Sequence, residues 1–268
     1  MSYVRVMVVQ DLDAALDERL RIACALAHKL DSELIGITAV NLLDSFGYDP
    51  IIASESMTDH RERLEARVRV AEEAFATHVK SWQLTGSWRK SLAHSPTEFV
   101  IAESRSADLI VTGVGQKSRV DPADLIMAVG RPVLVVPSEA EELRFKTAIV
   151  AWKETRECRR AVADALALLS VYENVHIIEL TSSDELEQAK SHVGEVTRWL
   201  KCHGISATSS AFEAVGDTSV QLAERVFIEG ADLIVAGAYG HSRMREWVLG
   251  GVTRDLLTRI PCCSLLSR

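Results

Sequence analysis

Short apolar runs rich in Val and Ile alternate along the chain with longer stretches in which apolar residues recur every three or four positions. The short runs are typical of parallel strands buried on both faces, and the three-to-four spacing indicates helices that pack through one stripe. The longest such stripe runs from Leu64 to Trp82. In the first half the pattern predicts strands near residues 3–9, 33–40, 86–92, 107–113 and 132–137, and helices at 13–30, 56–82 and 95–105.

The second half of the chain repeats this order. The pattern there predicts strands near residues 147–152, 174–180, 205–213, 231–236 and 262–267, and helices near 155–170, 183–203, 216–229 and 247–259. The letters Ala-Asp-Leu-Ile-Val at 107–111 recur 124 residues later at 231–235, and glycines follow both copies. Each half then has a Pro-led apolar run, at 132–136 and 261–266. Several correspondences in the same order favour a duplication.

Strands that alternate with helices and are joined by right-handed crossovers form open parallel sheets. The sequence therefore predicts an α/β protein with two tandem open five-stranded parallel sheets, each with helices on both faces. An acidic segment at residues 138–142 separates the halves. We expect one domain at residues 1–140 and a second at 145–268.

Composition and net charge indicate the type of core and disfavour some binding partners. Of the 268 residues, 47% are hydrophobic and only 6% are aromatic, which fits an aliphatic core of sheets covered by helices. The net charge of −8 disfavours nucleic acid and anionic membranes as partners. The first residues show no signal peptide or membrane anchor, and the five scattered cysteines fit reduced thiols, so we expect a cytoplasmic protein.

Glycines cluster after the second Ala-Asp-Leu-Ile-Val strand. Four of the chain's 14 glycines lie between Gly237 and Gly251. Glycines let backbone N–H groups approach a ligand, and Gly250-Gly251 lies at the start of a predicted helix, where unpaired amides favour a phosphate. The cluster therefore fits a phosphate cradle, although glycines also serve plain turns.

The spacing Gly-x2-Gly-x9-Gly, formed by Gly237, Gly240 and Gly250, resembles the nucleotide-loop signature of the universal stress protein family. The resemblance extends over both halves, so the chain resembles a tandem member with two fused domains. It implies a Rossmann-like fold of five parallel strands per domain, related to the adenine-nucleotide α-hydrolases. It also implies a stress-response module that binds ATP or another adenine nucleotide.

The resemblance also implies which residues bind the nucleotide. The backbone amides of Gly240, His241, Gly250 and Gly251 hold the phosphates, and Trp152 and Lys153 border the sugar or base. The full implied set is Ala151, Trp152, Lys153, Gly237, Gly240, His241, Ser242, Gly250, Gly251, Val252 and Thr253. No metal site is expected, apart from Mg²⁺ accompanying the nucleotide.

Two positions of the second half depart from the family pattern. Gly251 stands where the nucleotide-binding branch has Ser or Thr, and Thr253 follows two residues later. Lys153 stands where that branch has an Asp near the ribose. This lysine either neutralises a phosphate or is a solvated turn residue.

The first half departs further. It keeps Asp11 after its first strand, but the segment from Gly113 to Pro132 is five residues shorter than the segment from Gly237 to Pro261. Asp121 and Asp124 add carboxylates where a phosphate would lie, and like charges repel. We expect no nucleotide in the first half.

The sequence gives little support to an enzymatic function. No Ser/His/Asp order, paired acid–base carboxylates, Walker lysine or kinase signature emerges, and His241 has no recognisable carboxylate partner. His192, Cys202 and His203 lack the usual spacing of zinc ligands, and Cys262-Cys263 fit small apolar residues of the last strand.

Three hypotheses follow from the sequence. The leading one is a regulatory module that binds a nucleotide in its C-terminal half. The second is an interaction scaffold without nucleotide, in which the two halves pack as an intramolecular pseudo-dimer, and the third is a slow ATPase. We expect the two Pro-led last strands at the contact between the halves, since the family often dimerises through this edge strand and an unpaired apolar edge invites aggregation. Further pairing into a homodimer stays open.

Overall fold

The computed structural model describes residues 2–12, 16–40, 53–92, 95–114, 120–138, 140, 142–238 and 262–268. The first half contains β1 (Arg5–Val9), α1 (Leu16–Leu30), β2 (Glu33–Ala39), α2 (Ala53–Ser81), β3 (Gly86–Ser91), α3 (Pro96–Glu103), β4 (Leu109–Gly113), α4 (Pro122–Ala128) and β5 (Val133–Val136). The second half contains β6 (Thr147–Trp152), α5 (Arg156–Leu169), β7 (Asn174–Thr181), α6 (Leu186–Cys202), β8 (Ala207–Glu213), α7 (Thr218–Glu229), β9 (Leu233–Gly237) and β10 (Cys263–Ser267). The helix predicted at 247–259 lies outside the described residues.

The described strands form one sheet of ten strands in the order β3-β2-β1-β4-β5-β10-β9-β6-β7-β8. Neighbours within each half pair in parallel, and β5 pairs with β10 antiparallel, with Leu134 opposite Leu265. The predicted α/β class is confirmed, but the two five-stranded sheets are joined into one. The last strands of the two halves pair with each other, as expected, and we call this β5–β10 contact the joint. The pairing satisfies backbone N–H and C=O groups that would otherwise be buried without hydrogen bonds.

Helices cover both faces of the sheet. In β1, Val6 and Val8 belong to one core, while Met7 and Val9 belong to the core on the opposite face. The first core is covered by α1, α5, α6 and part of α2, and the second is covered by α3, α4 and α7. Strands buried on both faces explain why the sequence shows continuous apolar runs rather than alternation. None of the described helices is long and apolar enough to cross a membrane.

The helix α4 is an element that the apolar pattern alone does not predict. Its N-cap is Asp121, whose carboxylate accepts a hydrogen bond from the amide of Ala123 at 2.8 Å, and Pro122 follows at the first helical position. Leu125 and Ile126 are buried on its inner side. An N-cap Asp followed by Pro is a helix-start signal, so Asp121 caps a helix here.

The aspartates of the repeated Ala-Asp-Leu-Ile-Val motif lie at the amino ends of β4 and β9. Asp108 Oδ2 accepts hydrogen bonds from the amides of Val4 and Arg5 at 2.9 and 3.0 Å. Asp232 Oδ2 accepts one from the amide of Arg144 at 2.5 Å, and burial raises the pKa of this carboxyl group. In each half this carboxylate therefore ties the start of one central strand to the chain leading into its neighbour. The repeated Ala-Asp-Leu-Ile-Val sequence therefore stabilises the fold. Its aspartates lie at the amino ends of the strands, and the glycines that follow it lie at the carboxyl ends.

Removing this tie is expected to destabilise the protein. Asp108→Ala leaves the amides of Val4 and Arg5 without their charged acceptor, and we expect the free energy of unfolding to fall by about 1–3 kcal/mol. Urea unfolding followed by circular dichroism measures the change. The control is Asp59→Ala, an exposed position on α2, with an expected change within about 0.5 kcal/mol. Equal effects of the two substitutions would contradict this role of Asp108.

Candidate functional site

The carboxyl ends of β6 and β9 lie side by side, with Ala151 opposite Ala236. From β6 the chain continues to β7 on one side and returns to β9 on the other, so strand order reverses between β6 and β9. Ligands of open α/β sheets bind beyond the carboxyl ends at such a reversal. We call this place the second-half crevice; it is bordered by Trp152 and Lys153 after β6 and by Gly237 at the end of β9.

Hydrogen bonds fix the turn that follows β6. The amide of Thr155 donates to the carbonyl of Lys153 at 2.6 Å, and the Thr155 hydroxyl caps α5 by accepting from the amide of Cys158 at 3.2 Å. The amide of Lys153 donates to Cys158 Sγ at 3.4 Å. The backbone of Lys153 is thus held while its side chain is exposed, and the Trp152 indole is buried beside it.

Gly237 is a glycine for a packing reason. A Cβ at this position would lie 2.5 Å from the amide nitrogen of Cys158 and 2.6 Å from the carbonyl carbon of Glu157. Both are backbone atoms of the first turn of α5, which cannot move independently of the helix. The missing side chain therefore allows α5 to pack against the end of β9.

A methyl group at Gly237 is expected to push α5 away from β9. We expect Gly237→Ala to lower the free energy of unfolding by about 1–3 kcal/mol. The matched control is Gly194→Ala within α6, where a Cβ would have only Arg198 Nη1 near it, at 3.9 Å. That variant should gain about 0.5–1 kcal/mol from higher helix propensity. Urea unfolding of both variants tests the prediction, and a neutral Gly237→Ala would refute it.

Two buried carboxylates lie near the second-half crevice. Glu179 stands opposite Trp152 in the β6–β7 register, and burial raises the pKa of its carboxyl group. Its Oε2 lies 3.6 Å from His192 Nδ1. Glu157, in the first turn of α5, has a lowered pKa, because its own backbone amide and then the Arg156 guanidinium stabilise the carboxylate. The two carboxyl groups thus belong to residues beside Trp152 and Gly237, and Glu157 is ion-paired with Arg156.

Besides Glu179 Oε2 and His192 Nδ1, two buried polar atoms near the same edge have no hydrogen-bond partner among the described residues. They are the indole Nε1 of Trp152 and the hydroxyl of Ser267 at the end of β10. Both side chains are buried, with 7% and 2% exposure. Buried polar atoms are rarely left without a partner, so these two are available to a ligand or to the rest of the chain.

The structure brings part of the sequence-predicted site together. Ala151, Trp152, Lys153 and Gly237 lie around the second-half crevice. The remaining predicted residues lie outside the described part of the chain: Gly240, His241, Ser242, Gly250, Gly251, Val252 and Thr253.

The corresponding place in the first half is filled by an arginine. The strand registers match Asp11 to Lys153 and Gly113 to Gly237. Arg19 Nη1, from α1, donates to the carbonyl of Val9 at 2.8 Å and lies 3.1 Å from Asp11 Oδ2. The Arg19 side chain is 9% exposed, and a Cβ on Gly113 would collide with its guanidinium. In the sequence, Arg19 is an arginine among the inward-facing apolar residues of α1. The apolar periodicity alone does not distinguish it.

Four of the five cysteines are buried. Burial raises the pKa of the Cys158 thiol to about 11 and the pKa of the Cys24 and Cys262 thiols to about 12. Cys263 is also buried, with a raised pKa, so the Cys262-Cys263 pair lies in the core as predicted. No group of three potential metal ligands is present in the described part of the chain.

The thiols are therefore expected to differ sharply in reactivity. Cys202 is the exposed one of the five. Because reaction with a disulfide reagent needs an accessible thiolate, we expect Ellman's reagent to label one thiol rapidly in the native protein and five after denaturation. Cys202→Ser should remove the fast phase. Rapid labelling of two or more thiols in the native chain would be inconsistent with this burial.

Comparison with known proteins shows which folds this one resembles. A universal stress protein from Archaeoglobus fulgidus DSM 4304 matches with a TM-score of 0.68 and 15% identity, covering 98% of both chains. A putative universal stress protein from Pseudomonas aeruginosa UCBPP-PA14 matches with a TM-score of 0.60 and 15% identity, covering 99% of this chain and 93% of its own. A protein of unknown function from Pseudomonas aeruginosa PAO1 matches with a TM-score of 0.60 and 15% identity, covering 99% and 92%.

The sequence itself matches no family model. No curated protein matches it either. The structural matches nevertheless extend over nearly the whole chain, including both halves and the joint between them. This protein therefore has the fold of the universal stress proteins over its full length.

Proposed function

We propose that this protein is a cytoplasmic tandem universal stress protein, with domains at residues 1–140 and 145–268. In this proposal the C-terminal domain binds an adenine nucleotide such as ATP, and the chain acts as a regulatory module in a stress response. The observation that carries the proposal is the position of Gly237. This residue begins the Gly-x2-Gly-x9-Gly spacing and lies where strand order reverses between β6 and β9.

The groups around the second-half crevice support an anionic ligand with an aromatic part. The exposed Lys153 can neutralise one phosphate charge, and its backbone is held by the turn that caps α5. The buried Trp152 supplies an indole N–H that has no partner among the described residues. Since like charges repel, the phosphates would lie toward Lys153 and the glycine amides rather than beside the carboxyl groups of Glu157 and Glu179.

One nucleotide per chain is expected, because the Arg19 and Asp11 side chains already occupy the corresponding place in the first half. The Arg19 guanidinium occupies the space beside Gly113 and is paired with Asp11, the carboxylate that the family would direct to the ribose. A nucleotide there would have to break a buried ion pair, which costs about 3–5 kcal/mol when one partner is left alone.

Calorimetric titration with ATP, ADP and AMP tests this proposal. We expect binding of one ATP per wild-type chain, no binding by Gly240→Asp, because a carboxylate would repel the phosphates, and an affinity lowered about threefold to tenfold in Lys153→Ala. The control is Lys201→Ala, an exposed lysine at the far end of α6, which should bind as the wild type does. No binding by the wild type, or full binding by Gly240→Asp, would exclude the nucleotide assignment.

The joint between the halves favours a second candidate function. The β5–β10 pair buries both last strands in one continuous sheet, as two chains of a dimer would do. The protein would then be an intramolecular pseudo-dimer that serves as an interaction scaffold. Gly251 and Lys153, which depart from the nucleotide-binding pattern, favour this alternative. Release of a nucleotide from purified and denatured protein would count against it.

A further inference from the structure

Three polar side chains that are far apart in sequence meet under the C-terminal end of α7. They are His176 on β7, Ser210 on the neighbouring β8, and Glu229, the last residue of α7. His176 Nδ1 lies 2.8 Å from both carboxylate oxygens of Glu229. His176 Nε2 lies 3.0 Å from Ser210 Oγ.

These distances fit one tautomer of the neutral His176 ring. An ionised carboxylate only accepts hydrogen bonds, so Nδ1 of His176 carries the proton that is donated to Glu229. In the neutral ring, Nε2 then presents its lone pair to Ser210, whose hydroxyl donates to it. A serine hydroxyl facing the basic nitrogen of a histidine, which is itself oriented by a carboxylate, is the arrangement of a nucleophilic triad.

Regular secondary structure holds all three residues. Ser210 is opposite Ile178 in the parallel register, so it lies on the same face of the sheet as His176, two positions further along. The helix α7 packs on this face through Leu222 and Val226. One turn before Glu229, the Arg225 guanidinium lies 3.7 Å from the centre of the Phe212 ring, which also anchors α7 to β8.

The sheet edge supplies a backbone donor beside the serine. β8 is the last strand of the sheet, and the amide of Ala214 donates to the carbonyl of Thr181 on β7 at 2.7 Å. Because amide directions alternate along a strand, the amide of Ala211 points the other way, to the open edge. Ala211 directly follows Ser210. The amide of the residue after the nucleophile is a common donor to the oxyanion of acyl transfer.

The site is partly exposed to solvent. The side chains of His176 and Glu229 are 18% and 20% exposed, so a small molecule can reach the imidazole. A partly exposed site leaves water near the reacting groups, and the stabilisation of an oxyanion is weaker there than in a closed pocket. Substrates with a good leaving group are therefore favoured over amides.

We propose that Ser210, His176 and Glu229 form an esterase site for small carboxylic esters with a good leaving group. Ser210 Oγ attacks the acyl carbon while His176 Nε2 takes the hydroxyl proton. The bond from the acyl carbon to the leaving oxygen breaks, and His176 returns the proton to that oxygen. A water molecule, deprotonated by His176, then attacks the acyl carbon of the acyl-serine. The bond from the acyl carbon to Ser210 Oγ breaks, His176 returns the proton to Oγ, and the carboxylic acid leaves. Ser210 and His176 are the catalytic residues, and Glu229 is a positioning residue.

This activity is separate from the nucleotide proposal. His176 lies near the amino end of β7 and Ser210 in the middle of β8, whereas the second-half crevice lies beyond the carboxyl ends of β6 and β9. Ser210 and Glu229 follow His176 by 34 and 53 positions, so no local sequence motif indicates the site.

Hydrolysis of p-nitrophenyl acetate by the full chain measures the activity. We expect Ser210→Ala and His176→Gln to lower the rate above background about 100-fold or more, because a general base contributes about 10²–10⁴. The matched control is Ser209→Ala, the adjacent hydroxyl on the opposite face of β8. It should keep the wild-type rate, and a rate unchanged in Ser210→Ala would overturn the proposal.

Covalent labelling identifies the nucleophile directly. Diisopropyl fluorophosphate should add one label to the wild type and to Ser209→Ala, on the peptide containing Ser210, and none to Ser210→Ala. Labelling of His176→Gln should be at least tenfold slower, with an unchanged thermal unfolding midpoint. Absence of label on Ser210 of the wild type means that the cluster only fastens α7 to the sheet, and the proposal fails.

Two substitutions at Glu229 separate positioning from packing. Gln keeps the size of Glu but lacks its charge, and Asp keeps the charge on a shorter side chain. If the carboxylate orients and stabilises His176, Glu229→Asp should label faster than Glu229→Gln. The reverse order would assign Glu229 a packing role and would contradict the triad.

Discussion

The antiparallel pairing of β5 with β10 is the contact on which the arrangement of the whole molecule depends. Both strands are fully buried and lie at the centre of the ten-stranded sheet. All other described pairs are parallel, so this joint reverses strand direction between the halves. The carboxyl ends of β1 and β4 therefore lie at one edge of the sheet, and those of β6 and β9 lie at the opposite edge. The two equivalent crevices face away from each other although the halves share one sheet.

The two crevices differ in the charged side chains that border them. In the first half, Arg19 and Asp11 neutralise each other with side chains that are 9% and 3% exposed. A buried pair of this kind loses hydration but satisfies both charges within the protein. In the second half the corresponding Lys153 is exposed, and buried Glu157 and Glu179 lie near it. The two halves thus share their strand arrangement but differ in the charged side chains at the strand ends.

Local periodicity predicts most of the fold because strands and helices of an α/β sheet have distinct apolar patterns. The pattern predicts a strand at 33–40, and the observed β2 is Glu33–Ala39. The helix α4 has only seven residues, and its two buried aliphatic side chains, Leu125 and Ile126, give too little periodicity to detect. The merging of two sheets into one depends on distant strands, and the sequence predicts it only through the apolar last strand of each half.

The sites are harder to predict because they depend on contacts between distant elements. Trp152 and Lys153 could be placed at the crevice, since residues that follow a parallel strand lie at its carboxyl edge. Arg19 enters the opposite crevice from a helix, and the sequence alone does not show the direction of its side chain. His176, Ser210 and Glu229 come together through the β7–β8 register and the path of α7.

The closed joint also determines how copies of this chain can associate. Because β5 and β10 are already paired, strand addition by a second molecule is limited, among the described strands, to β3 and β8 at the two ends of the sheet. β3 carries Arg89 and Lys90, each in an ion pair, and charged side chains of this kind discourage edge-to-edge pairing. The middle of β8 instead presents uncharged hydroxyl residues, Thr208 to Ser210. A higher-order assembly built by strand addition would therefore grow from the β8 end and would bring a second backbone against Ser210.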